Sequence, residues 1–282
     1  MMKIKYFLSI VMITIIYSTI CSAQEQIKYK QIDTTILFME VYYPEQVDSS
    51  KIYPAMVFFF GGGWRSGDRF HFVQHAKYFS KRGIICFLAD YRTKNKNKTS
   101  PFESLKDAKS AIRFIRKNAS RFHIDSTKII ASGGSAGGHL AAATALIKDY
   151  NEDADDLSLS CIPNALVLFN PVIDNGPGGY GYERIGDDYK KFSPLHNIKK
   201  GTPPTIIFLG TNDVLIPVET ADYYKKVMEK VESRCELRLY RGKDHGFFNY
   251  KNFKSYKRTV IEADKFLVSL GYLKDKPVVK IE

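Results

Sequence analysis

The sequence predicts an α/β fold in which a mostly parallel sheet carries helices on both faces. Short apolar runs alternate with longer amphipathic stretches from residue 55 onward, and segment 27–43 before them is rich in strand formers. No repeat and no Pro/Gly/Ser-rich linker divides the 282 residues. Near-continuous apolar strands separated by helices are typical of parallel sheets that are covered on both faces. We therefore expect one domain.

The first 23 residues have the pattern of a signal peptide. Two early lysines precede the uncharged run 6–20, which is shorter than the roughly 20 residues that span a bilayer. A small residue, Ala23, then offers a cleavage point. We expect export of the mature domain 24–282, to the periplasm or medium, without a stable membrane anchor. A retained anchor is the alternative, and bulky Ile20 argues against a lipid on Cys21.

Predicted strands and helices follow one another in a regular order. The strands are expected at 36–43, 55–60, 84–89, 128–132, 165–169, 205–209 and 236–240, and the helices at 72–82, 101–122, 136–149, 217–232 and 253–270. Segment 27–43 precedes the alternation, so it suggests antiparallel strands at one edge. In helix 136–149, a group of alanines permits close packing on the sheet. Ligands of such sheets bind beyond the carboxyl ends of the strands.

Segment 170–198 breaks this rhythm with three prolines and five glycines. Long irregular inserts in compact domains are usually functional or disordered, so we interpret this one as a lid or pocket wall. Trp64, Tyr180 and Tyr182 are the aromatic residues expected to line such a pocket, where their rings could stack on a sugar if the ligand is a glycan. Ordinary packing of these rings is the alternative.

The residues around Ser135 indicate a nucleophile. The sequence Gly133-Gly134-Ser135-Ala136-Gly137 follows predicted strand 128–132 and opens a helix. A serine on so tight a turn needs glycines on both sides, because the backbone is crowded where the hydroxyl is exposed. The helix N-terminus also supplies amide N–H groups beside it.

A base and an orienting carboxylate follow Ser135 in the expected chain order. Asp213 ends the four residues that follow strand 205–209, and His245 follows strand 236–240. Of the six histidines, His245 alone lies after Asp213. The order Ser, Asp, His is the one expected for a hydrolase of this architecture. A helix-capping role for Asp213 and a plain loop position for His245 are the alternatives.

Three backbone amides are candidates for an oxyanion hole. The strand at 55–60 ends in Gly61-Gly62-Gly63, and glycine lets N–H groups point inward without an obstructing Cβ. We expect Gly62, Gly63 and Ala136 to donate to the developing oxyanion. A flexible turn is the alternative for the glycine run.

These motifs together resemble the α/β-hydrolase superfamily. The chain is similar to its carboxylesterase/lipase class, close to hormone-sensitive-lipase-like esterases and to bacterial acetyl-xylan or feruloyl esterases. The resemblance is carried by segments 61–68, 90–92, 133–139, 193–194 and 244–247, which extend over most of the mature chain. It implies a serine esterase that needs no cofactor, with an ester of a small molecule or a polysaccharide as substrate.

One position departs from the family pattern. The oxyanion motif of the family usually starts with His, and Phe60 stands there. The backbone donors survive this change, but the loop is expected to lose a polar brace. Segment 90–92 resembles a family feature that we interpret as a buried structural network.

Other sequence features do not point to a second activity. His71 and His75 have the spacing of a zinc helix but lack the glutamate that follows the first histidine, so no metal site is predicted. The formal net charge of +12 can indicate a nucleic-acid partner, but the lysines are spread along the chain. The densest tract, 94–98, contains no aromatic residue, so we expect a solvated basic surface.

The predicted function is therefore exported serine ester hydrolysis, with acetyl or feruloyl groups on polysaccharides as the expected substrates. A serine peptidase of the same fold is one alternative. A binding module on an inactive hydrolase scaffold is the other, although such modules normally lack one of the three catalytic groups.

Overall fold

The computed structural model of the chain describes residues 24–274 and residue 281. Its eight strands are Gln24–Ile32 (β1), Thr35–Tyr42 (β2), Tyr53–Phe59 (β3), Ile85–Ala89 (β4), Ile124–Gly134 (β5), Ala165–Phe169 (β6), Thr205–Gly210 (β7) and Cys235–Tyr240 (β8). They form one sheet in the order β1-β2-β4-β3-β5-β6-β7-β8. Strands β1 and β2 are antiparallel, and β3 to β8 are parallel to one another. The predicted fold class is confirmed.

The helices cover both faces of this sheet. They are Val73–Lys81 (α1), Lys94–Asn97 (α2), Pro101–Lys117 (α3), Ala136–Leu146 (α4), Tyr182–Ile185 (α5), Tyr189–Phe192 (α6), Val218–Lys230 (α7) and Phe253–Ser269 (α8). Residues of α3, α4 and α7 form one apolar core with one face of the sheet. Residues of α1 and α8 form a second core with the other face.

The strand register brings several strand ends to one edge. Phe59 at the end of β3 pairs with Gly133, and Gly134 at the end of β5 pairs with Phe169. At the far side, Gly210 pairs with Tyr240. The segments that follow β3, β5, β6, β7 and β8 therefore leave the sheet at neighbouring points, where a site can be assembled.

Two predicted helices end earlier in the structure. Helix α3 stops at Lys117 instead of residue 122, because the Asn118 side chain donates to Phe114 O (2.8 Å) and closes the last turn. Phe122 extends the apolar pattern but lies in the following turn, where it packs on Phe87. Helix α4 ends at Leu146, since Ile147 is extended.

Segment 90–92 forms the buried network that the sequence predicts. Arg92 makes a bidentate ion pair with Asp107, at 2.8 and 2.9 Å, and also contacts Glu152. Asp90 accepts from Arg69 Nη1 at 2.9 Å. Because these charges are paired and hydrogen-bonded out of water, removing one partner would be strongly destabilising.

The predicted signal peptide and Cys21 lie outside the described residues, so export stays a prediction. Within residues 24–274, no helix combines the length and apolar character needed to cross a bilayer.

Candidate active site

Ser135 lies on a strained turn between β5 and α4. Its backbone angles are φ 55° and ψ −121°, a region that residues with a Cβ rarely adopt. A Cβ on Gly133 would lie 2.3 Å from Gly137 O, and one on Gly137 would lie 2.0 Å from Phe59 O. Positions 133 and 137 therefore require glycine, because a Cβ at either position would collide with a neighbouring backbone oxygen.

Asp213 and His245 lie in line with the Ser135 hydroxyl. His245 Nε2 is 2.9 Å from Ser135 Oγ, and His245 Nδ1 is 2.7 Å from Asp213 Oδ2. The other carboxylate oxygen of Asp213 accepts the amide N–H groups of Leu215 (2.9 Å) and Ile216 (3.0 Å). This carboxylate is fully buried and acceptor-only, so it holds the imidazole proton on Nδ1. The Nε2 lone pair then faces the hydroxyl.

Asn170 fixes the loop of the base, a role for which the sequence analysis found no signal. It follows β6 with φ 33° and donates its backbone N–H to Phe208 O at 2.7 Å. Its Oδ1 accepts from Gly246 N (2.9 Å), which turns its amide nitrogen toward His245 Nε2 at 3.3 Å. Asn170 therefore connects the His245 loop to the sheet.

The loop that carries two of the predicted oxyanion donors contacts the nucleophile, and the third donor, Ala136, follows it in the chain. Gly62 and Gly63 have φ values of 130° and 62°. A Cβ on Gly61 would lie 3.5 Å from Ser135 Cβ, so the loop contacts the serine. Among the described residues, the amides of Gly62, Gly63 and Ala136 donate to no acceptor. They remain available to a negatively charged oxygen.

His71 braces the oxyanion loop. Its Nδ1 accepts the backbone N–H of Gly61 at 3.3 Å, and its Nε2 contacts Asn249 Oδ1 in the loop that follows His245. A main-chain N–H can only donate, so the proton of the ring lies on Nε2. The expectation that the loop lacks a polar brace is wrong, because a histidine ten residues further along the chain supplies one.

Phe60 itself is held by an aromatic stack. Its ring lies on that of Tyr91 with centroids 3.9 Å apart and planes 13° apart. The Tyr91 hydroxyl donates to Phe60 O at 2.7 Å. Segment 90–92 therefore supports the start of the oxyanion loop as well as the fold.

The insert 170–198 borders the same loop through Tyr180 and Arg184. Arg184 Nη1 donates to Gly63 O at 2.9 Å, and its guanidinium lies over the Tyr180 ring at 5.2 Å. A Cβ on Gly63 would lie 2.8 Å from the Tyr180 hydroxyl. The insert is thus folded against the loop as a wall. Sequence reasoning included Tyr180 but missed Arg184.

The other two predicted pocket aromatics are placed differently. Trp64 borders a cavity beside the loop, but it is only 1% exposed and packs its ring against His139 and Phe192, so the expectation that this ring stacks on a sugar is wrong. Its apolar bulk fills the core below the loop. Tyr182 makes contacts within the insert, with Tyr189 and Asp187.

The second histidine of the 71–75 segment has no part in this arrangement. His75 is buried among the rings of Phe72, Phe169 and Tyr256. This burial lowers its pKa to about 3, so the ring is neutral. Neither ring nitrogen has a hydrogen-bond partner among the described residues.

The assembled groups can perform acyl transfer. The Ser135 hydroxyl faces the imidazole of His245, a buried carboxylate orients that imidazole, and the glycine loop, whose two predicted donor amides have no acceptor among the described residues, contacts the serine. These are the three components that a serine hydrolase requires, recognised by geometry and role.

Comparison with known proteins gives two family matches. Residues 39–175 match the family model described as BD-FAE, and residues 177–266 match the dienelactone hydrolase family. Together these segments include every residue of the site.

Esterases are found among similar solved structures and relatives. The structure of Thermogutta terrifontis esterase 2 phosphoramylated by tabun is 41% identical with a TM-score of 0.86, covering 90% of this chain and 97% of that one. The acetylxylan esterase of Xylanibacter ruminicola is 28% identical over 77% of this chain and 46% of that protein. The isoprenylcysteine α-carbonyl methylesterase ICME of Arabidopsis thaliana is 27% identical over 73% and 53%. The chain spans about half the length of these last two proteins.

Proposed function

Because the chain belongs to the esterase class of the α/β-hydrolase superfamily, we propose that it is an exported serine carboxylic-ester hydrolase. Its proposed substrates are acetyl or feruloyl esters of polysaccharides, together with small esters of the same acids.

The observation that carries this proposal is the alignment of Ser135, His245 and Asp213. Contacts of 2.9 and 2.7 Å join the three side chains, and the two predicted donor amides of the adjoining glycine loop have no acceptor within the described part of the chain. A binding module would have no need to keep a serine in a strained conformation against a base.

In the acylation half of the proposed reaction, Ser135 Oγ attacks the ester carbonyl while His245 Nε2 takes the hydroxyl proton. The carbonyl oxygen becomes an oxyanion, which accepts hydrogen bonds from the amides of Gly62, Gly63 and Ala136. Asp213 stabilises the imidazolium that forms. His245 then gives its proton to the departing alcohol, leaving the acyl group on Ser135.

In the deacylation half, His245 removes a proton from water as its oxygen attacks the acyl-enzyme carbonyl. The same amides stabilise the second oxyanion. Its collapse breaks the bond to Ser135 Oγ, which recovers its proton from His245. The products are a carboxylic acid and an alcohol, and the enzyme returns to its starting state.

The relatives support short acyl groups on glycans as the proposed substrates. One relative is an acetylxylan esterase, and Thermogutta terrifontis esterase 2 has also been solved with bound propionate. The methylesterase relative likewise acts on a carboxylic ester by its name.

Replacement of Ser135 by Ala tests the proposed function. Turnover of 4-nitrophenyl acetate should be abolished while the thermal unfolding midpoint stays nearly unchanged. Labelling by a fluorophosphonate probe should be lost as well. Ser120→Ala, at an exposed serine outside the site, is the matched control. Undiminished turnover by the Ser135 variant would refute the nucleophile.

A substrate panel tests the acyl and glycan preference. Acetate release from acetylated xylan and acetylated pectin should exceed fatty-acid release from long-chain triglycerides. The reverse ranking would overturn the polysaccharide proposal but leave ester hydrolysis intact.

Export is tested by the mass of the mature protein in its native host. The secreted or periplasmic chain should begin at Gln24. A full-length chain that begins at Met1 and stays inside the cell would contradict this.

A further inference from the structure

A cavity of about 370 Å³ lies beside the oxyanion loop. Three separate parts of the chain form it: residues 63–65 of the loop, residues 94 and 98–101 between the starts of α2 and α3, and residues 183–184 of the insert. The volume falls in the range of small-ligand pockets. The cavity is therefore large enough for about one sugar unit of a polymer.

The lining of this cavity is strongly cationic. Arg65, Lys94, Lys98 and Arg184 contribute four positive charges, against one carboxylate from Glu183. That carboxylate is already paired with Arg184 Nε at 2.9 Å. An excess of one sign of charge in a cleft raises the local concentration of ligands of the opposite sign.

Three of these cations, Arg65, Lys94 and Lys98, have no counter-charge among the described residues. Among the described residues, neither the Arg65 guanidinium nor the Lys94 ammonium forms an ion pair or a hydrogen bond, and Lys98 Nζ meets only the carbonyl of Asn95 at 3.3 Å. The Thr99 hydroxyl oxygen, in the cavity lining, is buried and also has no partner there. Counting only the residues that the structure describes, the cavity thus presents donors and no unpaired carboxylate.

The cavity is connected to the reaction centre through Gly63. This residue lines the cavity, and its amide is one of the proposed oxyanion donors. Arg184, which also lines the cavity, donates to the carbonyl of Gly63 at 2.9 Å. Gly63 therefore belongs both to the proposed oxyanion loop and to the lining of the cavity, so the loop and the cavity adjoin at this residue.

We propose that this cationic cavity binds the carboxylate of a uronic acid unit, so that acetyl esters of acidic polysaccharides are the preferred substrates. This inference rests on the proposed ester hydrolysis and adds the class of polysaccharide on which the enzyme acts. Planar guanidinium groups suit a carboxylate because they can donate two parallel hydrogen bonds to it. The lysines add charge at the rim, where their effect weakens with salt.

The test uses one polymer in two charge states. Acetylated homogalacturonan with free carboxylates is compared with the same polymer after methyl esterification, and acetate release is measured so that methanol from the methyl esters does not interfere. At low salt, kcat/KM should be about tenfold higher for the free-acid polymer, as one charge-assisted contact would give. The preference should fall as salt is raised.

Charge-removing variants show whether the cavity is the origin of the preference. In the double variant Arg65→Gln/Lys94→Gln, the ratio between the two polymers should fall close to one. The matched control is Lys254→Gln/Lys257→Gln, which removes two exposed charges on α8 and should keep the wild-type ratio. Calorimetric binding of trigalacturonate to Ser135→Ala protein gives a second measurement that needs no turnover.

The outcomes separate this inference from the proposed function. Equal acetate release from both polymers by the wild type, or an unchanged preference in the cavity variant, would overturn the uronate site while leaving the esterase proposal standing. Failure to bind trigalacturonate would overturn it as well. Absence of any turnover, including that of uncharged 4-nitrophenyl acetate, would instead overturn the proposed function and this inference together.

Discussion

The two halves of the site, one for proton transfer and one for the oxyanion, are held by different means. In the proton-transfer half, main-chain groups fix the side chains: two amides hold Asp213, and backbone crowding fixes the turn of Ser135. In the oxyanion half, side chains fix the main chain: Tyr91, His71 and Arg184 hold the loop from three directions.

The two kinds of support differ in which substitutions can disturb the geometry of each half. A group held by neighbouring backbone is rigid as long as the strands stay paired. A loop held by three side chains depends on residues that are distant in sequence, so its geometry can be altered without touching a catalytic residue. Substitutions in each half separate these two kinds of support.

The largest effect is expected from Asp213→Asn in the proton-transfer half. An amide at this position favours the wrong tautomer of His245, so kcat for 4-nitrophenyl acetate should fall about 10⁴-fold. The control is Asp244→Asn, at the exposed carboxylate next to His245, which should change kcat little. Equal effects of the two substitutions would contradict the orienting role of Asp213.

The next largest effect is expected where the two halves meet. A Cβ added by Gly137→Ala would lie 2.0 Å from Phe59 O and 2.4 Å from Phe60 O. Because both are backbone atoms, the free energy of unfolding should fall by about 3 kcal/mol, measured by urea denaturation.

Gly178→Ala is the matched control for this glycine. It has φ 83°, and no atom of residues 24–274 lies within 4 Å of its Cβ position, so only the backbone cost of about 1 kcal/mol is expected. If Gly137→Ala and Gly178→Ala lowered the free energy of unfolding equally, close packing would not be the reason for a glycine at position 137.

A smaller effect is expected from loss of the histidine brace. His71→Phe keeps a ring but removes the acceptor for Gly61 N, so the oxyanion amides shift and kcat should fall about tenfold. This is less than the roughly 10²–10³ typical of removing a donor outright. KM should change little, because the oxyanion forms only in the transition state.

His71→Asn is the conservative comparison. Its side chain can offer an oxygen near the position of Nδ1, so it should recover most of the activity that His71→Phe loses. Identical kinetics for the two variants, or an effect confined to KM, would argue against the positioning role.

The smallest effect is expected from Phe60→His, which restores the residue usual in the family. Since His71 already braces the loop, kcat should change by no more than about threefold. Stability should fall by about 1–2 kcal/mol, because a polar ring replaces an apolar one in the buried stack on Tyr91. A large gain in kcat would show that the brace from His71 is insufficient.

The fold and the side chains of the proton-transfer half could be named from the sequence. Ser135 is marked by glycines that its own turn requires, and Asp213 and His245 follow apolar strands in a fixed order. Such signals are local, since turn geometry and strand burial depend mainly on adjacent residues. Helix ends were less well predicted. Phe122 continues the apolar pattern of α3 but lies in the turn that follows it, and the pattern does not distinguish the two positions.

The sequence by itself determined the parallel sheet, the order of the three catalytic candidates and the glycine run of the oxyanion loop. Only the tertiary structure decided that Trp64 is buried, that His71 replaces the missing brace and that Arg184 contacts Gly63. The physical reason is distance along the chain: His71 meets Asn249 across 178 residues, and Arg184 meets Gly63 across 121. Contacts of that separation depend on how strands pair and helices pack, which no local pattern records.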